Sequence, residues 1–332
     1  MRGASGTVTL AIRMKSVSSL PDILRYSNDS EPGILRLKKG KTYRYEDTKG
    51  RTIKCEKVLE RISLLGLPPA YRDVWICQDE FGHLQATGRD VKGRKQYRYH
   101  SQWRAFQDRK KFENLLAFGH HLTYLRRKIS RDLRRQDNSK IFVCAAITRL
   151  IDKGALRIGH SQNEAVGAST LRQKHISLTS NSLKLDYKAK GGKRVRKQIK
   201  DKTLARVLGR IDDLPGRRLF QYIGDDGQVY GLDSSHVNGY LGEDFTAKTF
   251  RTWHGTLAAF ECALETEGEP TIKALSEAAA ARLHNTPTIC RNSYIHPKVI
   301  ALSDKNTAAK SKEMDARGLC KSERMLLSFL ED

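Results

Sequence analysis

Residues 283–294 read Leu283-His284-Asn285-Thr286-Pro287-Thr288-Ile289-Cys290-Arg291-Asn292-Ser293-Tyr294. Thr286-Pro287 marks a helix start: threonine serves as N-cap, and proline fits the first helical position without losing a needed donor. Tyr294 then falls seven residues beyond Pro287, about two turns on. Asn285 stands just before this start, where unpaired amides favour an anion. Taken alone, Asn285 reads as a simple capping residue and Tyr294 as half-buried packing.

Upstream, helical spacing marks Thr256–Leu264 and Ile272–Leu283, the second with Thr271 as N-cap. Before them Ile176 to about Arg196 reads as strand, with a hairpin signal at Lys190-Gly191-Gly192-Lys193. Ile141–Ile151 is an apolar helical segment. Phe112, Leu115, Leu116, Gly119 and Leu122 form one stripe, and Arg126, Arg127, Arg131, Arg134 and Arg135 follow it as a basic extension. The first third differs. Short strands are expected at Gly33–Leu37 and Tyr43–Tyr45, a helix over Glu56–Leu65 ended by Pro68-Pro69, and a strand pair at Val74–Cys77 and His83–Thr87. Downstream, a polar tail closes in an apolar helix over Met325–Leu330.

The fold class expected is α+β. An ill-defined segment (1–30) leads into a small β-rich domain (31–105). A larger, mainly α-helical domain with a β-hairpin insert follows (106–305), then a tail (306–332).

The 332 residues include 61 Lys and Arg against 37 Asp and Glu, a formal net charge of +24. That excess calls for a polyanion, nucleic acid before an anionic membrane surface. With 39% apolar and 30% charged residues the chain is neither low-complexity nor membrane-embedded, and no stretch approaches the ~20 apolar residues of a spanning helix. Cys55, Cys77, Cys144, Cys262, Cys290 and Cys320 form no C-x-x-C pair or zinc-spaced cluster, so reduced thiols in the cytoplasm are expected. Met1 to Leu20 is basic but lacks a signal-peptide core.

Gly88-Arg89-Asp90-Val91-Lys92-Gly93-Arg94-Lys95-Gln96-Tyr97-Arg98-Tyr99-His100 sets basic groups beside an amide and two tyrosines. Arg89, Lys92, Arg94 and Lys95 suit phosphates, Gln96 a base edge, and Tyr97 or Tyr99 a sugar or base. In a strand Tyr97 and Tyr99 share the face of Lys95. A solvated basic strand fits the block equally well. Further segments are Leu156-Arg157-Ile158-Gly159, Thr170-Leu171-Arg172-Gln173-Lys174-His175-Ile176, Leu185–Lys193 and Phe250-Arg251-Thr252-Trp253-His254-Gly255-Thr256.

Taken in this order, the segments resemble the type IB DNA topoisomerases of the bacterial and poxvirus-like branch, from about Leu35 to Pro297. The most specific pieces are 88–97, 170–176 and Asn-Thr-Pro-x-x-Cys-Arg-x-Ser-Tyr ending at Tyr294. The resemblance implies a monomeric clamp around duplex DNA, working in the nucleoid without cofactor, metal or ATP. It implies Tyr294 as the nucleophile that forms a 3′-phosphotyrosyl bond. Arg157 matches the arginine of the R-[IVF]-G motif and Arg251 that of F-R-T-[WY]. Lys190 takes the lysine position of the F-x-G-K hairpin, with Ala189 in place of the usual glycine. Asn285 stands where bacterial members carry Asn and viral or eukaryotic ones His, which leaves His284 out of register. DNA contacts are expected at Arg89, Lys92, Arg94, Lys95, Gln96, Tyr97, Tyr99, Arg172, Lys174, His175 and Lys193.

Asn163 stands where many members have an aromatic, His160 where bacterial relatives often have Asn, and Ala168 where Leu is common. Two other functions fit parts of the pattern. A tyrosine recombinase shares the Arg/Lys/Arg/Tyr chemistry but carries a helical N-terminal arm in place of the 88–97 block. A non-enzymatic architectural DNA-binding protein would account for the charge alone.

Overall fold

A computed structural model describes residues 20–40, 42–135, 137–160, 165–212, 218–304 and 315–332. The chain divides into two units, Met1–Lys111 and Phe112–Asp332. The basic start of the chain up to residue 19, Asn163, and most of the polar stretch before the last helix lie outside the described residues.

The first unit is an antiparallel sheet of five strands, β1 (Ile34–Lys39), β2 (Thr42–Glu46), β3 (Arg72–Ile76), β4 (Leu84–Arg89) and β5 (Lys95–Tyr99), in the order β2-β1-β3-β4-β5, with β3 and β4 most deeply buried. Ile62 of helix α1 (Glu56–Leu64) packs with Ile34, Val74, Ile76 and Ala86 as its core. Strand β5 lies at one edge and leaves Lys95, Tyr97 and Tyr99 exposed, with Gln96 and Arg98 half-buried between them.

Helix α2 (Ser101–Asp132) runs through the boundary between the units. The second unit continues with α3 (Lys140–Gly154), strands β6 (Ile176–Leu178), β7 (Ser182–Lys188) and β8 (Arg194–Lys200), and α4 (Lys202–Asp212). After the small pair β9 (Gln221–Ile223) and β10 (Val229–Gly231) come α5 (Ser234–Leu241), α6 (Ala247–Glu265), α7 (Ile272–Leu283), α8 (Pro287–Ser293), α9 (Pro297–Ile300) and α10 (Lys321–Glu331). The core gathers on Phe118, Phe142, Phe250, Trp253 and Phe260. Thr271 caps α7 by accepting from Ala274 N at 3.1 Å, and Thr286 caps α8 by accepting from Ile289 N at 3.3 Å, as their sequences indicate. No helix among the described residues is long and apolar enough to cross a membrane.

Two sequence expectations need correction. The helix expected from Thr256 begins at Ala247, because Arg251, Thr252 and His254 are buried polar groups that interrupt the apolar spacing. Arg126 is not part of a solvated basic extension. It donates to Asp152 Oδ2 and Glu323 Oε1, each at 2.8 Å, and so ties α2 to α3 and α10.

Candidate active site

Helix α6 supplies the centre. Arg251 is 3% exposed and donates through Nη1 to Ala155 O (2.6 Å) and through Nη2 to Leu283 O (3.1 Å). These carbonyls end α3 and α7, whose last polar groups lack intrahelical partners and attract a cation. One guanidinium thereby fixes two helix ends, and its Cζ stands 5.2 Å from the centre of the Tyr294 ring. Its Nε is buried without a partner among the described residues. Burial and then the neighbouring Arg157 charge lower its pKa, a penalty on the charged form that an anion beside it would relieve.

Arg157 lies just past the end of α3, on a turn held by two backbone bonds: Ala168 N to Arg157 O at 2.8 Å and Ser169 N to Ile158 O at 2.7 Å. The two segments touch so closely that a Cβ on Gly167 would lie 2.5 Å from Gly159 N. Arg157, Arg251 and His284 line one cleft with Tyr187, Ala189 and Val195. Burial pushes the Tyr187 phenol up to about 12, which leaves it protonated and a poor nucleophile.

Tyr294 caps the C-terminus of the short helix α8. Thr256 of α6 holds the backbone there, donating to Tyr294 O at 3.2 Å and accepting from His296 N at 3.0 Å. Gly255 beside it must lack a side chain, since a Cβ would lie 2.8 Å from Tyr294 O. Asn285 is half-buried, with Nδ2 aimed at no partner among the described residues. Such a donor is unfavourable in the free protein and suits an acceptor that arrives with a ligand.

His296 extends this segment, its Nδ1 accepting from Lys298 N at 3.1 Å and its ring edge-on to Phe112. Burial pulls its pKa to about 4, and burial likewise lowers His83, His121, His175 and His284. In the unfolded chain these imidazoles ionise near their ordinary value of about 6.5. Below it the unfolded state binds more protons, so stability is lost as pH falls from about 6.5 towards 4. Thermal unfolding by circular dichroism at pH 7.5 and pH 5 should show a midpoint several degrees lower at the acid pH; an unchanged or higher one contradicts the assignment.

Lys190 occupies the exposed tip of the β7–β8 hairpin, in a turn where Gly191 and Gly192 take φ of 77° and 74°. It lies one residue beyond Ala189, which lines the cleft. Ala189 has φ −95°, so the missing glycine changes nothing in the backbone. Further down the hairpin is a group that the sequence reading missed. Lys197 Nζ donates to Gly154 O (2.7 Å) and Arg282 O (3.0 Å), each one residue before a carbonyl held by Arg251. Burial, then Arg282 and Arg251, lower its pKa to about 8. Val195, Lys197 and Ile199 share one strand face, a lysine between two core residues, and that alternation is the signal that identifies it.

The 88–100 block is partly self-satisfied. Asp90 accepts from Arg94 (2.9 Å) and Gln96 (3.0 Å), and Lys95 pairs with Asp29. Arg89 reaches Gly93 O at 3.0 Å, while Lys92 stays exposed on the turn. Tyr97 and Tyr99 are 47% and 36% exposed, with rings stacked 6.1 Å apart. In the second unit Arg172 and Lys174 are exposed, while His175 is half-buried with Nδ1 accepting from Arg172 N at 3.1 Å. Lys193 is half-buried, its carbonyl accepting from Ala189 N. His160 bonds Ser234 Oγ at 3.0 Å, and Ala168 is buried in its turn.

The profile of the family described as "Eukaryotic DNA topoisomerase I, catalytic core" matches residues 100–318, more than half the chain. This chain belongs to the type IB DNA topoisomerase family. The profile "Bacterial DNA topoisomerase IB, N-terminal domain" matches residues 42–90, within the β-rich first unit. A curated relative, DNA topoisomerase 1B of Acanthamoeba polyphaga mimivirus, is 28% identical over 296 residues, covering 82% of this chain and 88% of its own. The family's enzyme class is therefore that of this chain, and the β-rich first unit with a larger helical second unit agrees with it.

Proposed function

We propose that the chain relaxes supercoiled duplex DNA by reversible transesterification. The observation that supports it best is Arg251, which touches the turn before Arg157, the turn before Asn285 and the Tyr294 ring at once. Tyr294 Oη attacks a backbone phosphorus and gives up its proton to solvent water, helped by the cationic surroundings. The bond from phosphorus to O5′ breaks, leaving a 3′-phosphotyrosyl ester and a free 5′-hydroxyl. Arg157 and Arg251 carry the negative charge that builds on the non-bridging oxygens, and Asn285 adds a neutral donor. Lys190 protonates the leaving oxygen. Because the ester conserves the energy of the broken linkage, religation is attack in reverse, and the chemistry demands neither nucleotide nor metal. Between the two steps the free end swivels.

In this reading one chain closes on DNA as a clamp. Lys92, Tyr97 and Tyr99 with their neighbours serve it from the first unit, and Arg172, Lys174 and Lys193 from the second. The cytoplasmic nucleoid is the working place.

Incubating the protein with supercoiled plasmid, chelator and no nucleotide tests the proposal. A ladder of relaxed topoisomers is expected, with protein held on the 3′ end of nicked strands after denaturation. Unaltered plasmid from folded protein would rule it out. Lys190→Ala should slow cleavage by about 10²–10⁴. A substrate with sulfur at the bridging 5′ position should recover most of that loss, since a thiolate leaves without a proton. Asn285→Ala should lose about 10²–10³ on either substrate. Equal behaviour of the two variants on the sulfur substrate would remove Lys190 from the acid role.

A further inference from the structure

The Arg157–Arg251 cleft contains a residue to which the reaction above gives no part. His284 follows the last residue of α7 in left-handed conformation, φ 48° and ψ 56°, where glycine is the residue without steric cost. Ala155, which ends α3 in the same conformation, has no side-chain chemistry, so the backbone alone explains nothing about the imidazole. Its placement does. The ring is half-buried on the wall of the cleft, within electrostatic range of Arg157 beyond α3, Lys193 and Lys197 of the hairpin, and Arg251 of α6. Tyr187 of β7 lines the same wall, and Asn285 follows in the chain. A core histidine would face carbonyls or carboxylates; this one faces cations. Burial and those four charges lower its pKa, so the free protein holds it neutral, with one N–H to donate.

We propose that His284 is a further DNA-contacting residue, donating to a phosphate oxygen of the strand seated between Arg157 and Arg251. The inference rests on the transesterification reading and deepens it. An arriving phosphate reverses the field at the imidazole, so binding draws a proton onto it and converts a neutral donor into a charged one.

His284→Gly separates the two roles that a strained cap can have. The substitution removes the imidazole and places glycine in the conformation it favours, so the thermal midpoint is expected to rise by about 2 °C. Single-turnover cleavage at saturating protein is expected to fall by about 10–100-fold, the span of one lost hydrogen bond to a charged group. The parent's rate should also vary with pH between 5.5 and 7.5 through a group that the variant lacks. His284→Asn, which tolerates the left-handed region and keeps an N–H donor, should restore the rate to within about tenfold of the parent. Parental cleavage by His284→Gly at every pH overturns the proposal, as does a variant whose rate and midpoint fall together. Covalent adduct formed by the parent under the same conditions shows that the underlying reaction stands, so a negative result then belongs to His284 alone.

Discussion

Tyr294→Phe is expected to leave no protein on denatured DNA and to slow plasmid relaxation by at least about 10⁴-fold, while the protein folds and binds duplex as before. The argument is local. What fixes residue 294 is backbone: its N–H donates to Cys290 O at 2.9 Å and its carbonyl accepts from Thr256. Phenylalanine keeps those bonds and keeps a ring beside the Arg251 guanidinium. What goes is the phenolic oxygen, the nucleophile of the proposed reaction, with its contact to the Arg251 guanidinium. Thermal midpoint and low-salt affinity, which comes from phosphate neutralisation, should therefore match the parent's within about 1 °C and twofold. Tyr187→Phe is the control. Its phenol shares the cleft but is pushed up to about 12, so its loss should cost less than about tenfold. An adduct from Tyr294→Phe, with the labelled nucleotide mapping to Tyr187, would reverse the assignment.

What the sequence reveals follows the range of each interaction. Thr271 and Thr286 are legible because a cap and its amide lie three residues apart. The Asp90 turn is legible in principle for the same reason, since Arg94 and Gln96 lie four and six residues on. Strand β5 alternates as its side chains predict. Arg251 is different. It stands in a helix whose first half breaks the apolar rhythm, and only the order of motifs singles it out. Lys197 and Arg126 mark the limit, because their partners are remote in sequence. Lys197 joins carbonyls 43 and 85 residues away, and Arg126 joins carboxylates 26 and 197 residues away. Local pattern makes one look like an ordinary hairpin lysine and the other like surface charge.

The Arg126 network leads to the second large effect. Asp152 and Glu323 are 2% and 3% exposed, an expensive burial unless a cation satisfies them. Arg126 does so with four N–H···O contacts, helped by His254 on Asp152 (3.0 Å) and Trp253 on Glu323 (3.3 Å). Burial would raise the Asp152 carboxyl, but the His254 hydrogen bond and the Arg126 charge hold it well below the usual carboxylate range; Glu323 is lowered against burial by Arg126. Arg126→Met keeps the volume and removes the cation, leaving two buried carboxylates facing each other. The expected loss is about 3–5 kcal/mol, or about 10 °C in the midpoint. Its pH dependence has a definite sign. In the parent both carboxyls have lowered values, so their stabilisation is present above the ordinary carboxylate range and is lost on acidification. In the variant burial raises them, so the deficit is full near pH 7.5 and shrinks as pH falls towards 5. A deficit that stays constant over that range, followed by circular dichroism, would mean that packing rather than charge joins α10 to α3. Because Asp152 lies five residues before Arg157 and His254 three after Arg251, the same substitution should slow adduct formation even where the protein stays folded. On the proposed reaction, the closing helix thereby takes part in setting the Arg157 and Arg251 guanidiniums through α3 and α6.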